Sequence, residues 1–255
     1  MTGQAESSLT VAAEVTESAL LGGRVRLRQP AKGYRAGMDA ALLAAAIEAR
    51  PGERLIEAGC GAGAVLMQVA ARRDVQLTGL ERDAAAAALA RENAGLNGAE
   101  ARTTIVNGDV ARGFRALGLP PFDWAISNPP FFDDPAALRA PAEGKLGAWM
   151  ADDGLTAWAG FLLKAVREGG RIVIIHRADR LADILSLLSP KAGSFAIRPI
   201  QPYADQPAKR VLVQAIKTGK APLRLLPPLI LHDRAGAKHS QQAEAILRGE
   251  ADLGF

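Results

Sequence analysis

A single cysteine, Cys60, in 255 residues excludes an internal disulfide framework and fits a reducing compartment. Histidine is almost as scarce. His176, His232 and His239 are the three in the chain, and their spacing resembles no zinc site, so surface or packing roles are expected. Lysine and arginine are absent before Arg24, and the longest apolar run near the start, residues 40–47, is far too short to cross a bilayer. No secretion signal or membrane segment is visible, and a cytoplasmic protein is expected. Internal repeats and low-complexity linkers are missing too, which favours one domain spanning 1–255. Aromatic residues make up only 5% of the chain, so two adjacent phenylalanines in a loop, Phe131 and Phe132, stand out.

The apolar fraction of 49% and the charged fraction of 23% are those of an ordinary globular protein long enough to bury a large core. A formal net charge of +4 permits a polyanionic partner without requiring one. Basic residues cluster in two places. Residues 22–35 hold five of them and no acid, and Lys209-Arg210 forms a later pair. Arg24, Arg26, Arg28, Lys209 and Arg210 are therefore candidates for phosphate contacts, against the plainer reading of a solvated face.

Periodicity supplies the fold class. Residues 1–20 are small and polar without a convincing period, and are expected to be partly mobile. Residues 24–28 alternate as a half-buried strand with a basic outer face, and 37–48 read as a helix ending before Pro51-Gly52. Strands at 55–57, 76–81, 103–107, 123–127 and 171–176 then alternate with helices at 65–72, 83–94, 111–117, 156–166 and 181–188. That rhythm implies an α/β fold with a mainly parallel central sheet and helices on both faces. Residues 194–200 and 211–216 read as an antiparallel pair closing one edge, and a short helix is expected near 241–248.

The chemistry-bearing residues fall at successive strand ends. The first strand runs into Glu57-Ala58-Gly59-Cys60-Gly61-Ala62-Gly63, where glycines let the backbone turn sharply and approach a ligand. Such a loop between a strand and a helix is a nucleotide-type site at the carboxyl edge of an open sheet. Gly59, Gly61 and Ala64 also satisfy a loose G-x-G-x-x-A, so this loop alone admits a nicotinamide enzyme. Glu81 closes the second strand, where a carboxylate can accept from both hydroxyls of a ribose. Asp83 suits the cap of the helix that follows. Asp109, after the third strand, can accept from an adenine amine with Val110 against the ring, although Asn107-Gly108-Asp109 is also strong turn chemistry. Cys60 lies within the glycine loop, where the turn needs only a small side chain.

The fourth strand end carries Asn128-Pro129-Pro130-Phe131. The prolines fix φ and lack an N–H, so the segment offers carbonyl oxygens but few donors. Acceptors beside a flat apolar ring suit a planar group bearing an amine, whereas a nicotinamide enzyme has no use for them. A Pro-rich loop is the plain alternative for these four residues taken alone.

These four strand ends together resemble the Rossmann-like class I S-adenosylmethionine-dependent methyltransferases of the amino-methylating branch, marked by Asn-Pro-Pro and an aromatic residue. The segment Lys32-Gly33-Tyr34-Arg35-Ala36-Gly37-Met38-Asp39-Ala40-Ala41-Leu42-Leu43, the Lys209 to Val213 run and the Leu-Leu-Pro-Pro-Leu tail are similar to the bacterial tRNA1(Val) adenine-N6 methyltransferases. That resemblance covers about residues 22–250. It implies S-adenosylmethionine as cofactor, held by Glu57, Gly59, Gly61, Gly63, Glu81, Asp109, Val110 and Asn128. It also implies an N-terminal extension of about 1–50 that brings Tyr34, Arg35 and Asp39 to the methionine end.

On this reading Asn128, Pro129, Pro130 and Phe131 form the catalytic wall. Phe131 would stack on the base, with Phe132 helping or anchoring the loop. The expected partner is a nucleic acid, a tRNA in the first instance. The same wall serves guanine N2 of ribosomal RNA or a glutamine amide of a protein, and a binding module that has lost transfer activity would keep the same cofactor residues.

Overall fold

A computed structural model describes residues 14–31, 36–130, 153–234 and 238–255. Among them, nine strands form one sheet. In chain order these are β3 (Arg54–Ala58), β4 (Gln76–Glu81), β5 (Thr103–Asn107), β6 (Phe122–Ser127), β7 (Val166–Arg177), β8 (Ala192–Gln201), β9 (Arg210–Lys217), β10 (Arg224–Leu225) and β11 (Leu229–Ile230). Their spatial order is β10-β8-β9-β7-β6-β3-β4-β5, with β11 also paired to β8. β9 alone runs antiparallel to its neighbours β7 and β8. The expected mainly parallel sheet with an antiparallel edge pair is what forms, and the chain tail adds two short parallel strands outside it.

Successive residues of the central strands point to opposite faces, so a strand covered on both sides must be apolar throughout. Leu55, Trp124, Ile126, Val173 and Ile175 enter one core, packed by α1 (Met38–Ala45), α2 (Ala64–Ala70) and α3 (Ala84–Leu96). Ile56, Ala125, Ile172 and Ile174 enter the other, under α4 (Asp153–Ala165) and α5 (Leu181–Leu188). Each fully buried Leu, Ile or Val contributes roughly 1.5–3 kcal/mol, enough to commit these short runs to the sheet centre. The last helix, α6 (Gln241–Arg248), is capped by Ser240 and packs against α1.

Three local outcomes differ from the sequence expectation. Val15–Leu20 is a strand, β1, paired antiparallel with β2 (Val25–Pro30) as a separate two-stranded sheet. Its own side chains carry no apolar stripe; pairing with β2 makes it a strand. The expected short helix at 111–117 is two 3-10 turns, broken at Gly113, whose φ of 75° interrupts the helical path. β7 begins directly after α4 at Val166, but its register against β6 slips between Val166 and Arg171. The regular ladder thus starts at Arg171, where the periodicity begins.

The free edge of β2 has an unusual partner. Asn93 and Asn97, one turn apart on α3, present their amides to it. Asn97 Oδ1 accepts from the Arg26 amide at 2.9 Å while Nδ2 donates to the Arg26 carbonyl at 2.7 Å. Asn93 does the same with Arg28, 2.8 Å each way, and its Nδ2 also donates to the Ala62 carbonyl at 2.8 Å. Two side chains thus replace a neighbouring strand, and the fully buried Asn93 ties the hairpin to the glycine loop.

Candidate active site

The carboxyl edge of β3, β4, β5 and β6 gathers the strand-end residues. β3 gives way to the loop at Gly59, Gly61 and Gly63, all left-handed with φ of 69°, 53° and 83°. Among the described residues a Cβ on Gly61 would meet nothing within 4 Å, which leaves open space over that part of the loop. Gly59 is different: a Cβ there would lie 2.3 Å from the Trp158 ring of α4. The loop is held from below, where the Gly59 and Cys60 amides donate to the Leu80 carbonyl at 2.8 and 3.0 Å. Gly79 sits beneath it, because a Cβ would come within 2.6 Å of Cys60 Sγ and 2.9 Å of Ile105.

Glu81 faces the loop from the end of β4. Its Oε2 accepts from the Gly61 amide at 2.8 Å and its Oε1 from the Asp83 amide at 2.9 Å. A carboxylate has about four acceptor positions, so two backbone bonds fix its orientation and leave room to accept a pair of hydroxyls. Asp83 is a helix cap, as expected, its Oδ1 accepting from Ala85 and Ala86. Asn107 donates to the Glu81 and Arg82 carbonyls and so holds the β4 and β5 ends together. Beside them lies an open cleft lined by Arg82, Asp83, Ala84, Asn107, Gly108, Asp109 and Arg112.

Asp109 borders this cleft but commits Oδ1 to the turn, accepting from Ala111 at 2.9 Å. Val110 is buried in the second core, leaving a sliver of side chain for a ligand. Glu57 is placed differently from the other acids. It is 2% exposed, and its Oε2 has no hydrogen-bond partner among the described residues. Burial, reinforced by the Glu81 carboxylate, pushes its pKa well above the ordinary carboxylate range and favours the neutral acid. Burial and both carboxylates push the Cys60 thiol up as well, which removes thiolate character and with it nucleophilic chemistry.

At the end of β6, Ser127 Oγ donates to the Ala58 carbonyl at 2.9 Å in a fully buried contact. Ser127 pairs in register with Ala58 on one side and Ile174 on the other. Asn128 therefore leaves the sheet immediately beside Gly59. Pro129 is buried and Pro130 exposed, so the run starts against the core and turns outward. Phe131, Phe132, Tyr34 and Arg35 lie outside the described residues.

The glycine cradle, the orphaned acid beneath it, the oriented Glu81 carboxylate and the cleft at Asp109 fit an adenosine-bearing, positively charged ligand such as S-adenosylmethionine.

Comparison with known proteins agrees with this geometry. Residues 35–142 match the family model described as "Methyltransferase small domain". A tRNA1(Val) (adenine(37)-N6)-methyltransferase of Dickeya chrysanthemi is 28% identical over 84% of this chain and 86% of its own length. Its counterpart in Actinobacillus succinogenes is 34% identical, over 73% of this chain and 78% of its own.

The chain belongs to the tRNA1(Val) (adenine(37)-N6)-methyltransferase family.

It is a methyltransferase that uses S-adenosylmethionine. Among solved structures, an Agrobacterium tumefaciens protein described as a predicted O-methyltransferase superposes with a TM-score of 0.71. It is 28% identical and covers 85% of this chain and 99% of its own. A class I S-adenosylmethionine-dependent methyltransferase from Listeria monocytogenes shares the fold, with a TM-score of 0.54 at 15% identity over 74% of this chain and 62% of its own.

Against this family background, the basic candidates divide. Arg24 is exposed but engaged, its Nη2 donating to the Arg248 and Gly249 carbonyls at 3.3 and 2.5 Å, where it closes the C-terminus of α6. Arg26 and Arg28 share Glu17 of β1, at 2.8 and 3.3 Å. Arg210 Nε donates to Asp39 Oδ2 at 3.0 Å, joining a residue expected at the cofactor to one expected at phosphate. Lys209 is exposed at the start of β9.

Trp158 is the site residue that sequence reasoning missed. Its signal was weak: one of three tryptophans, placed on the site-facing helix after the Pro-Pro loop. Its contact with Gly59 forms one side wall of the loop.

Proposed function

We propose that this chain methylates the exocyclic N6 of an adenine in a tRNA loop, and that it acts in the cytoplasm. The observation that carries this reading is the seat of Asn128-Pro129-Pro130, pinned beside the glycine loop by the Ser127 to Ala58 bond. Relatives named for this reaction support the choice of substrate.

Glu81, the glycine loop and the Asp109 cleft would hold the cofactor, with Asp39 and Glu57 on the side of its amino acid. When bound, S-adenosylmethionine supplies a methyl group already activated on a sulfonium. The chain must then align the amine, and positioning of this kind lowers a barrier by roughly 7–11 kcal/mol. An adenine amine is a poor nucleophile because its lone pair is delocalised into the ring. Asn128 Oδ1 and the Pro129 carbonyl accept its two N–H bonds, which favours a pyramidal nitrogen with its lone pair aimed at the loop. The same two acceptors stabilise positive charge as it develops on that nitrogen. The methylated amine is acidic enough to lose its proton to water, so no strong base is required. Phe131 is assigned to stacking on the base, which must be unpaired or flipped out to reach this wall.

Incubation with labelled S-adenosylmethionine and separate pools of tRNA, ribosomal RNA and protein tests the assignment. Nucleoside mass spectrometry should find N6-methyladenosine in tRNA. Label appearing only as N2-methylguanosine, or only in protein, would contradict it.

A further inference from the structure

The carboxyl edge carries a second ordered cluster beyond the wall, built from two loops distant in sequence. The loop after β8 supplies Tyr203 and Asp205, and the segment between β11 and α6 supplies His232, Arg234 and His239. The Arg234 guanidinium lies 4.9 Å from the centre of the Tyr203 ring. Tyr203 and His232 are 5.5 Å apart with a 45° tilt, and His232 and His239 stack at 5.4 Å and 27°. Four planar groups therefore form a column in the order Arg234, Tyr203, His232, His239.

Backbone bonds hold the column in place. The His232 amide donates to the Pro202 carbonyl and the Leu231 amide to that of Gln201, both at 2.9 Å. His232 Nδ1 donates to the Lys238 carbonyl at 2.7 Å. Arg234 Nη2 donates to both oxygens of Asp205, at 2.9 and 2.8 Å. Those bonds lie in the guanidinium plane and the Arg234 side chain is 63% exposed, so among the described residues the face turned away from Tyr203 is open to another flat group. Both members of this ion pair are exposed, and such pairs add little stability. The ion pair's stability therefore does not explain why one of only two tyrosines in the chain stands half-buried under an exposed arginine.

The column's position follows from register. Ser127 pairs with Ile174 on β7; farther along β7, Arg177 pairs with Arg210, and Arg210 with Ile200, three residues before Tyr203. Asn128 and the column are thus three strand steps apart on one edge, about 14 Å laterally at roughly 4.8 Å per step, and Ile200 is already two residues, about 7 Å, farther along the strand direction. Lys209 and Lys238 are exposed on the same two loops, with Asp233 the acid nearest in sequence to the column's outer end.

We propose that the outer face of Arg234 is a stacking platform for an unpaired base flanking the methylated nucleotide, with Lys209 and Lys238 taking adjacent phosphates. This rests on the reading that the substrate is an RNA loop. Flipping one base toward Asn128 leaves its neighbours unstacked, and a guanidinium plane backed by an aromatic column gives one of them a new partner.

Steady-state kinetics of the full chain on the tRNA that the wild type methylates provide the test. Arg234→Ala should raise KM for RNA five- to twentyfold, with kcat, melting temperature and calorimetric affinity for S-adenosylmethionine unchanged within twofold or 2 °C. Arg234→Lys, which keeps charge without the plane, should show the same rise; Tyr203→Phe should behave as wild type. An unchanged KM in Arg234→Ala, or full rescue by lysine, overturns the platform while leaving the methylation itself standing. A wild type that methylates no RNA overturns both.

Discussion

Around the glycine loop, the carboxylates are held by backbone or by burial: Glu81 and Asp109 accept from backbone amides, and Glu57 is buried with one oxygen unpartnered among the described residues, while Arg82 and Arg112 line the cleft beside them. On the β7–β9–β8 half of the same edge they are arginines, each facing a carboxylate: Arg177 with Asp179, Arg180 with Asp183, Arg210 with Asp39, Arg234 with Asp205. The first half keeps the Glu81 and Asp109 carboxylates for the proposed cofactor, with burial holding Glu57 toward its neutral form. The second pairs most of its positive charge internally, which leaves flat surfaces and two lysines as its proposed means of recognising RNA. The two halves meet at Asn128, and each should be separable from the other by mutation.

The strongest test of that separation is Asn128→Ala. Loss of an acceptor used mainly as charge develops should lower kcat by about a hundred- to a thousandfold, as for other preorganised polar groups. Cofactor affinity measured by calorimetry should stay within twofold; an equal loss of both would mean that Asn128 serves the cofactor half instead. Glu81→Ala reverses the pattern. Charge-assisted bonds of roughly 1.5–3 kcal/mol translate into a ten- to hundredfold weaker affinity for S-adenosylmethionine. RNA binding in a gel-shift assay should be unaffected, and a matching fall there would break the comparison.

Gly79→Ala asks whether the cofactor half is built by packing. Its Cβ would press on Cys60, Leu66 and Ile105. Overpacking of this kind costs about 1–3 kcal/mol, read from the urea midpoint. Full stability in that variant would show that the loop has slack.

The smallest effect belongs to the arginine half. His176, buried at the end of β7, titrates at about 4 because burial and the nearby Arg180, Arg177 and Arg210 all disfavour its charged form. The unfolded chain binds this proton below about 6.5. Stability from this group is therefore fully present above that pH and declines as pH falls toward 4. Between pH 7.5 and 6 the loss is about 0.8 kcal/mol by linkage. The stability difference between wild type and His176→Gln should drift by that amount across the interval; a flat difference would mean that the imidazole charges freely in the fold.

Legibility from sequence follows the distance between partners. Glu81 and its amide donors lie within 20 residues of each other, at strand ends whose apolar runs are unmistakable, so its place could be read directly. Asp83 was read as a cap for the same reason. Arg24 is a candidate phosphate contact by sequence, and its hydrogen-bond partners at the end of α6, 224 and 225 residues away, are invisible to any local pattern. Arg26 and Arg28 alternate as a basic face, but the residue that neutralises them is on β1, a strand that exists only because β2 pairs with it. Trp158 acquires meaning only once α4 packs over Gly59.

What the amino-acid order determined by itself is the parallel sheet, the glycine loop, and the strand-end places of Glu81 and Asn128-Pro129-Pro130. Each of these depends on periodicity, backbone freedom and turn chemistry within a few residues. Only the tertiary structure decided which cations remain available, that Asp39 and Arg210 are partners, and that Tyr203 stands in a column with His232 and His239. Those outcomes depend on contacts between segments far apart in the chain, and no local pattern encodes which carboxylate will meet which arginine.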